Sequence, residues 1–270
     1  MLKLKNSLIT ALTWVIVLMF FFPVFWMFIN AFKSEQDASA IPPTLVFEPD
    51  FAGFQKLMDR GMMDYLTNSV TSSVISTVLV LLLAIPGAYA LSVRPILSVK
   101  DALFFFISTR FMPAAASLLP LYMIFKTLGM LDNINALSLV YAAMNLPIAI
   151  WMMRSFFNEV PLEIVEAAQI DGANFRTELV RIVLPIVLPG IAAVALICFI
   201  FSWNEYFLAT LLTTSDAKTA PPFLASFVDG RGLFLGVLSA AAMVAALPVL
   251  IAGWVAQKQL VRGLAMGAVK

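Results

Sequence analysis

The 270 residues contain no histidine and one cysteine, Cys198. Without a second cysteine no disulfide forms within the chain. Without histidine or a thiolate cluster the usual ligands of a zinc site are missing. The same absence removes the commonest general base and both the Ser–His and Cys–His nucleophile pairs, which argues against a hydrolase. Charge is scarce too. Asp, Glu, Lys and Arg make up 12% of the chain, against about 25% in soluble domains. The formal net charge of +1 offers none of the basic excess that nucleic-acid binding requires.

What is plentiful is apolar surface. Hydrophobic residues form 61% of the chain, with 23 Phe, and the mean hydropathy is +0.95. A soluble fold of this size would have too few polar groups to cover itself, so its solvent is lipid. A helix crossing about 30 Å of hydrocarbon needs about 20 apolar residues. Six segments qualify, at roughly 8–30, 69–92, 102–128, 135–156, 186–212 and 235–257. None alternates as a barrel strand would, so the expected fold is all-α with six transmembrane helices. The first run is too long for a signal-peptide core and leads straight into NAFKSEQD, which reads as a retained span. Prolines 23, 86, 113, 120, 147 and 248 fall inside the spans and predict kinks.

Six spans put both termini on one side. Lys3, Lys5, Arg94, Lys100, Arg154, Arg176, Arg181, Lys258, Arg262 and Lys270 share that side, ten in all. The other side carries five, Lys33, Lys56, Arg60, Lys218 and Arg231, while Arg110 and Lys126 lie in the third span. The positive-inside rule therefore predicts cytoplasmic termini and places the 33–68 and 213–234 loops opposite.

Against this background EAAQIDGANFRTELVRIVLP, residues 166–185, is conspicuously polar. Pro161 fits the first turn of a helix, where Glu163 suits the dipole. Gly172 is a natural stop. Asn174 suits the cap of a second helix, which Pro185 is expected to end near Leu184. Ala168 and Gly172, four residues apart, suggest a nearly bare face. The expectation is a short capped docking helix on the cytoplasmic side. An interfacial helix that only props up the bundle is the plainer alternative.

The letters and their spacing resemble the cytoplasmic signature of permease subunits of binding-protein-dependent ABC importers. Glu166-Ala167-Ala168 is followed by Gly172 and then by Ile182-Val183-Leu184-Pro185, and Asp171-Gly172-Ala173 is typical of the carbohydrate branch. SWNEYFLA at 202–209 and LPLYMIFKTLGMLDN at 119–133 resemble the same branch, and the tail QKQLVRGLAMGAVK is similar to the ends of sugar and polyol permeases of the maltose type, most of all to the mannitol/sorbitol group.

This resemblance implies a type I ABC importer transmembrane domain over 1–270, with a coupling segment at 157–185. Glu166, Ala167, Ala168, Asp171 and Gly172 would meet an ATP-binding subunit dimer. The chain has no Gly-Lys-Ser/Thr phosphate loop. ATP and Mg would therefore belong to that partner, and this chain would be no enzyme and carry no cofactor. The other implied partners are a second homologous permease subunit, a periplasmic substrate-binding protein and the lipid bilayer, in a bacterial inner membrane. Pro221, Pro222, Asp229 and Gly230 lie in the loop expected to meet the binding protein. A carbohydrate path needs hydrogen-bonding groups and aromatic faces in a wet cavity. Arg110, Tyr122, Asn145, Trp203, Asn204, Glu205 and Tyr206 are the candidates, Arg110 and Glu205 because ionisable groups near a membrane are functional by default. The alternative is an ion-coupled secondary transporter. It would need paired intramembrane carboxylates, and only Glu205 lies near a span.

Overall fold

The computed structural model describes residues 2–94, 98–111, 114–229 and 232–268, without side chains at 2–6, 114, 115, 229, 232, 233 and 260–268. In chain order the helices are α1 (Leu2–Asn30), α2 (Glu35–Ala38), α3 (Ala52–Asp59), α4 (Met62–Ala90), α5 (Val99–Arg110), α6 (Ala114–Thr127), α7 (Ile134–Phe157), α8 (Leu162–Ile170) and α9 (Phe175–Thr177). A π-helical turn, Glu178–Val183, leads into α10 (Leu184–Trp203). Then follow α11 (Phe207–Leu212), α12 (Ala220–Ala225), a two-stranded antiparallel pair, β1 (Val228–Asp229) with β2 (Gly232–Leu233), and α13 (Leu235–Ala268).

Among the described residues, five helical runs are long and apolar enough to cross a membrane: Ser7–Asn30, Met62–Ala90, Ile134–Phe157, Phe175–Trp203 and Leu235–Gln259. Four of them match the sequence expectation within a few residues at most ends. The third expected span, 102–128, is instead two helices, α5 and α6, of about 18 and 21 Å. Neither alone crosses about 30 Å. Pro113, expected as a kink there, lies outside the described residues, as do Arg231 and Lys270. The other five prolines do sit inside helices.

The fifth span also needs correction. Pro185 does not end the helix that Asn174 begins. The run from Phe175 continues to Trp203, with Pro185 in the first turn of α10. The reason is the π turn immediately before it. A proline ring clashes with the carbonyl four residues back. The widened turn, where Leu184 N–H bonds to Leu179 O, opens the backbone at that level. Residues 204–212 are not part of the same helix. Asn204 breaks it, and α11 is a separate short turn.

The chain divides into two compact units, 1–64 with 223–247, and 65–222 with 248–270. In the first, Ser34 caps α2, and Lys33 is buried with its ammonium 4.6 Å from the Trp26 ring and 5.2 Å from Phe47. Arg60 stands 5.0 Å from the Phe227 ring. In the second, α4, α7 and α10 enclose one apolar core of Val80, Ala84, Ile150, Met153, Phe157, Val183, Val187, Val194 and Cys198. Gly190 is required by this packing, because a Cβ there would collide with the Phe156 ring. A smaller cluster joins Phe125 of α6, Leu137 and Tyr141 of α7, and Leu208 and Leu212 of α11.

Candidate functional site

Two places in the second unit carry polar chemistry. The first is the segment after α7. Pro161 stands at the cap position rather than inside α8, one residue earlier than expected. At the other end Asp171 is the C-cap and Gly172 has φ +83°. Ala173 N–H reaches Ala168 O at 2.9 Å and Gly172 N–H reaches Gln169 O at 3.0 Å. This double closure is a Schellman motif, and its left-handed position selects glycine. Asn174 Oδ1 then accepts from Thr177 N–H at 2.9 Å, so the second cap forms as expected.

The face α8 leaves open differs from the sequence expectation. Glu166, Ala167, Asp171 and Gly172 are exposed and Ile170 is 87% exposed, but Ala168 is buried beside Val165. Ala168 thus packs inward, and the bare face from Ala168 to Gly172 does not exist. Among the described residues Glu166 makes no ion pair.

Behind α8 lies a residue that sequence reading missed. Glu178, in the π turn, is fully buried. Its Oε1 accepts from the Tyr89 hydroxyl and from Arg94 Nε at 3.2 Å. Its Oε2 accepts from a terminal Arg94 nitrogen and from Gln169 Nε2 at 3.1 Å. The Tyr89 ring is held edge-on against Phe157 and Phe175. Nearby, Arg154 Nε donates to Leu91 O at 3.1 Å. One buried carboxylate therefore joins α8, the π turn and the end of α4.

The second place is a pair of adjoining cavities that share Arg110 and Met144. One, of about 450 Å³, is lined mainly by apolar side chains with Thr109 and Ser117. The other, of about 330 Å³, is lined by Tyr141, Asn145, Ser202, Asn204, Glu205, Tyr206 and Phe207 among others. Arg110 donates to Met144 O at 2.9 Å. That carbonyl borders the gap in the α7 ladder opened by Pro147, which has no N–H to donate. Asn145 Nδ2 donates to Ser202 Oγ at 2.9 Å, and Ser202 Oγ shares a further hydrogen bond with Ser76 at 3.1 Å. All three residues are buried, so they form a polar seam between α4, α7 and α10.

The sequence candidates therefore separate. Arg110, Asn145, Asn204, Glu205 and Tyr206 border one cavity. Trp203 is buried and stacks on Phe199 at 5.7 Å. Tyr122, half-buried on α6, lines neither cavity. Glu205 spends its carboxylate on the first turn of α11, accepting from Leu208 and Ala209 N–H at 3.0–3.1 Å. The signal for that cap was a carboxylate three residues before an apolar run.

The expected loop contains more order than its letters suggested. Pro221 and Pro222 sit in the first turn of α12, Asp229 lies in β1, and Gly230 lies outside the described residues. Residues 214–217 wrap the carboxylate of Asp132, which accepts from the backbone N–H groups of Thr214, Ser215, Asp216 and Ala217. Partial burial pushes the Asp132 carboxyl up, but those four bonds outweigh it and hold it well below the usual carboxylate range. Asn68 Nδ2 closes the loop from the other side on Asp216 O and Lys218 O.

Residues 67–264 match the family described as binding-protein-dependent transport system inner membrane component. The chain is 37% identical over 270 residues to the probable ABC transporter permease protein y4oR of Sinorhizobium fredii, covering 99% of this chain and 97% of that one. It is 32% identical to the diacetylchitobiose uptake system permease protein DasC of Streptomyces coelicolor, covering 92% and 91%. A bacterial ABC transporter involved in the import of the acidic polysaccharide alginate contains a chain of similar fold. The TM-score is 0.75 at 24% identity, covering 96% of this chain and 97% of that one.

Proposed function

Because the chain belongs to the family of binding-protein-dependent transport system inner membrane components, we propose that it is the transmembrane permease subunit of an ATP-driven importer of a sugar, polyol or related glycoside. The observation that carries this reading is α8. It is a short helix locked at its C-terminal end by the Gly172 motif and presenting Glu166, Ala167, Ile170, Asp171 and Gly172 outward. An exposed isoleucine beside carboxylates, on a helix continuous through a tight turn with a membrane span, suits a lever seated in another subunit.

In this reading α8 docks on an ATP-binding subunit, which holds ATP and Mg and does the hydrolysis. Glu166, Ala167, Asp171 and Gly172 form the contact, and Ala168 seats α8 on its own bundle. A second homologous permease completes the pathway across the inner membrane. In this reading α5 and α6 together make one crossing beside the five long runs, so the termini face the cytoplasm, and the segment around Pro221, Pro222, Asp229 and Gly230 meets a periplasmic binding protein. The Arg110-bordered cavities serve the path, offering amide, phenol and guanidinium groups of the kind carbohydrates need. Uptake of diacetylchitobiose by one relative supports a carbohydrate cargo. Ion coupling finds no support, since the Glu205 carboxylate is engaged as a helix cap.

Purification of the chain from its host tests the reading. An associated ATPase bearing a Gly-Lys-Ser/Thr loop is the expected companion; a chain that drives uptake alone on an ion gradient refutes it. A thiol placed at Asp216 should label from outside spheroplasts and one at Asn174 should not, with Cys198 replaced. The reverse pattern inverts the orientation. Ligand screening on the co-encoded binding protein identifies the cargo.

A further inference from the structure

We propose that Glu178 is a positioning residue that makes α4, as well as α10, follow any displacement of α8; the proposal rests on the permease reading above. The link from α8 to α10 is covalent, through Gly172 and the π turn. The link from α8 to α4 is not. Its direct polar part runs through one carboxylate, whose two oxygens are filled by four donors from three segments: Tyr89 on α4, Arg94 just beyond it, and Gln169 on α8. Four acceptor directions are all that a carboxylate has, so the site is saturated.

The geometry favours transmission over simple adhesion. Apolar packing of Tyr89 against Phe157 and Phe175 is non-directional and tolerates sliding. The Arg94 guanidinium grips Glu178 through two nitrogens, a planar fork that fixes angle as well as distance. The Glu178 side chain is fully buried while that of Arg94 is 42% exposed. Leaving the carboxylate buried without its fork is expensive, so α4 and the π turn move together rather than part. Seating this residue in a π turn fits the frequent use of such turns at functional sites.

The test uses the assembled complex in lipid, without endogenous cysteines, so Cys198 becomes alanine. Spin labels at Val78 on α4 and Leu188 on α10, both exposed, are each paired with one at exposed Leu139 on α7. Distances are compared without nucleotide and with ATP, magnesium and vanadate. In the parent both pairs should shift. In Glu178→Ala the α10 pair should keep its shift and the α4 pair should lose most of it. Arg94→Lys, which keeps the charge and loses the fork, should give an intermediate α4 shift and decides the matter if the alanine variant does not assemble. Both pairs shifting as in the parent, or both losing their shift together, overturns the proposal. A parent complex indifferent to nucleotide overturns the permease reading and this inference with it.

Discussion

Asp132 and Ser215, 83 positions apart, are joined through both the backbone and the side chain of the serine: Ser215 N–H and Oγ–H reach the same carboxylate oxygen at 3.1 and 3.0 Å. Asp132 itself has φ 53° and sits in the turn between α6 and α7. Its backbone N–H donates to Leu212 O at 2.8 Å, so the loop is stapled at its root as well as along its length. Replacing the carboxylate should free residues 214–217. In Asp132→Ala, amide exchange there should accelerate at least about tenfold, since hydrogen bonds to a charged group are worth about 1.5–3 kcal/mol. Exchange measured by mass spectrometry on the purified complex checks this; unchanged protection would show that Asn68 alone holds the loop.

The same carboxylate sets a pH expectation. Its folded value is depressed, so its contribution is fully present above the unfolded value of about 4. That contribution is lost only as pH falls through the depressed folded value. Protection of residues 214–217, corrected for intrinsic exchange, should therefore be flat from about pH 5 to pH 8. A mid-range step in that window would assign loop closure to some other group.

Gly172 combines a left-handed backbone with open space, since a Cβ there meets nothing within 4 Å. A substitution is penalised by conformation and not by collision. Gly172→Ala should destabilise the end of α8 by about 1 kcal/mol and Gly172→Asn by less. Circular dichroism melts of the complex, with uptake per assembled complex, separate this from surface effects. Gly172→Trp, which adds bulk on the exposed face, should cut uptake far more than either.

The buried seam offers a contrasting outcome. Asn145→Ala removes the donor that Ser202 accepts from, while the Ser76–Ser202 bond remains. Thermal stability should drop by about 1–2 kcal/mol, and the yield of assembled complex should drop with it. Uptake per assembled complex should change little. A selective loss of uptake at normal stability would move Asn145 from the seam into the path.

Arg110 should behave the other way. It borders both cavities and gives one hydrogen bond to a main-chain carbonyl, which accounts for only about 1 kcal/mol of stability. Arg110→Ala is expected to lower uptake more than assembly, and Arg110→Lys to rescue only partly, because lysine lacks the planar fork. Uptake normalised to assembled complex is the measurement; parallel loss of both would make Arg110 structural.

Features coded by short-range letters were readable from the sequence. The Asn174 cap, the Gly172 stop and four of the six apolar runs appear where their residues predict, because each rests on neighbours within a turn or two. Features set by distant partners were not. Nothing within FRTELVRIVLP says that Glu178 is buried; its partners Tyr89 and Arg94 are 89 and 84 positions away. Pro185 read as a terminator because local rules assume an ordinary helix before it, and the π turn suspends them. Glu205 looked like a membrane charge because only the fold shows α11 starting anew beside it. Ala168 lies on the inner side of α8, a direction that spacing alone could not choose.

Asn145 and Ser202 line a chamber of about 330 Å³, and Ser76 continues their seam behind it. In hydrocarbon these groups have no substitute partners, and a bare hydroxyl or amide is costly. Parting α4 from α7 and α10 at this level therefore requires water to arrive as the bonds break. Separation and hydration become one event, and osmotic pressure applied by an excluded solute opposes it.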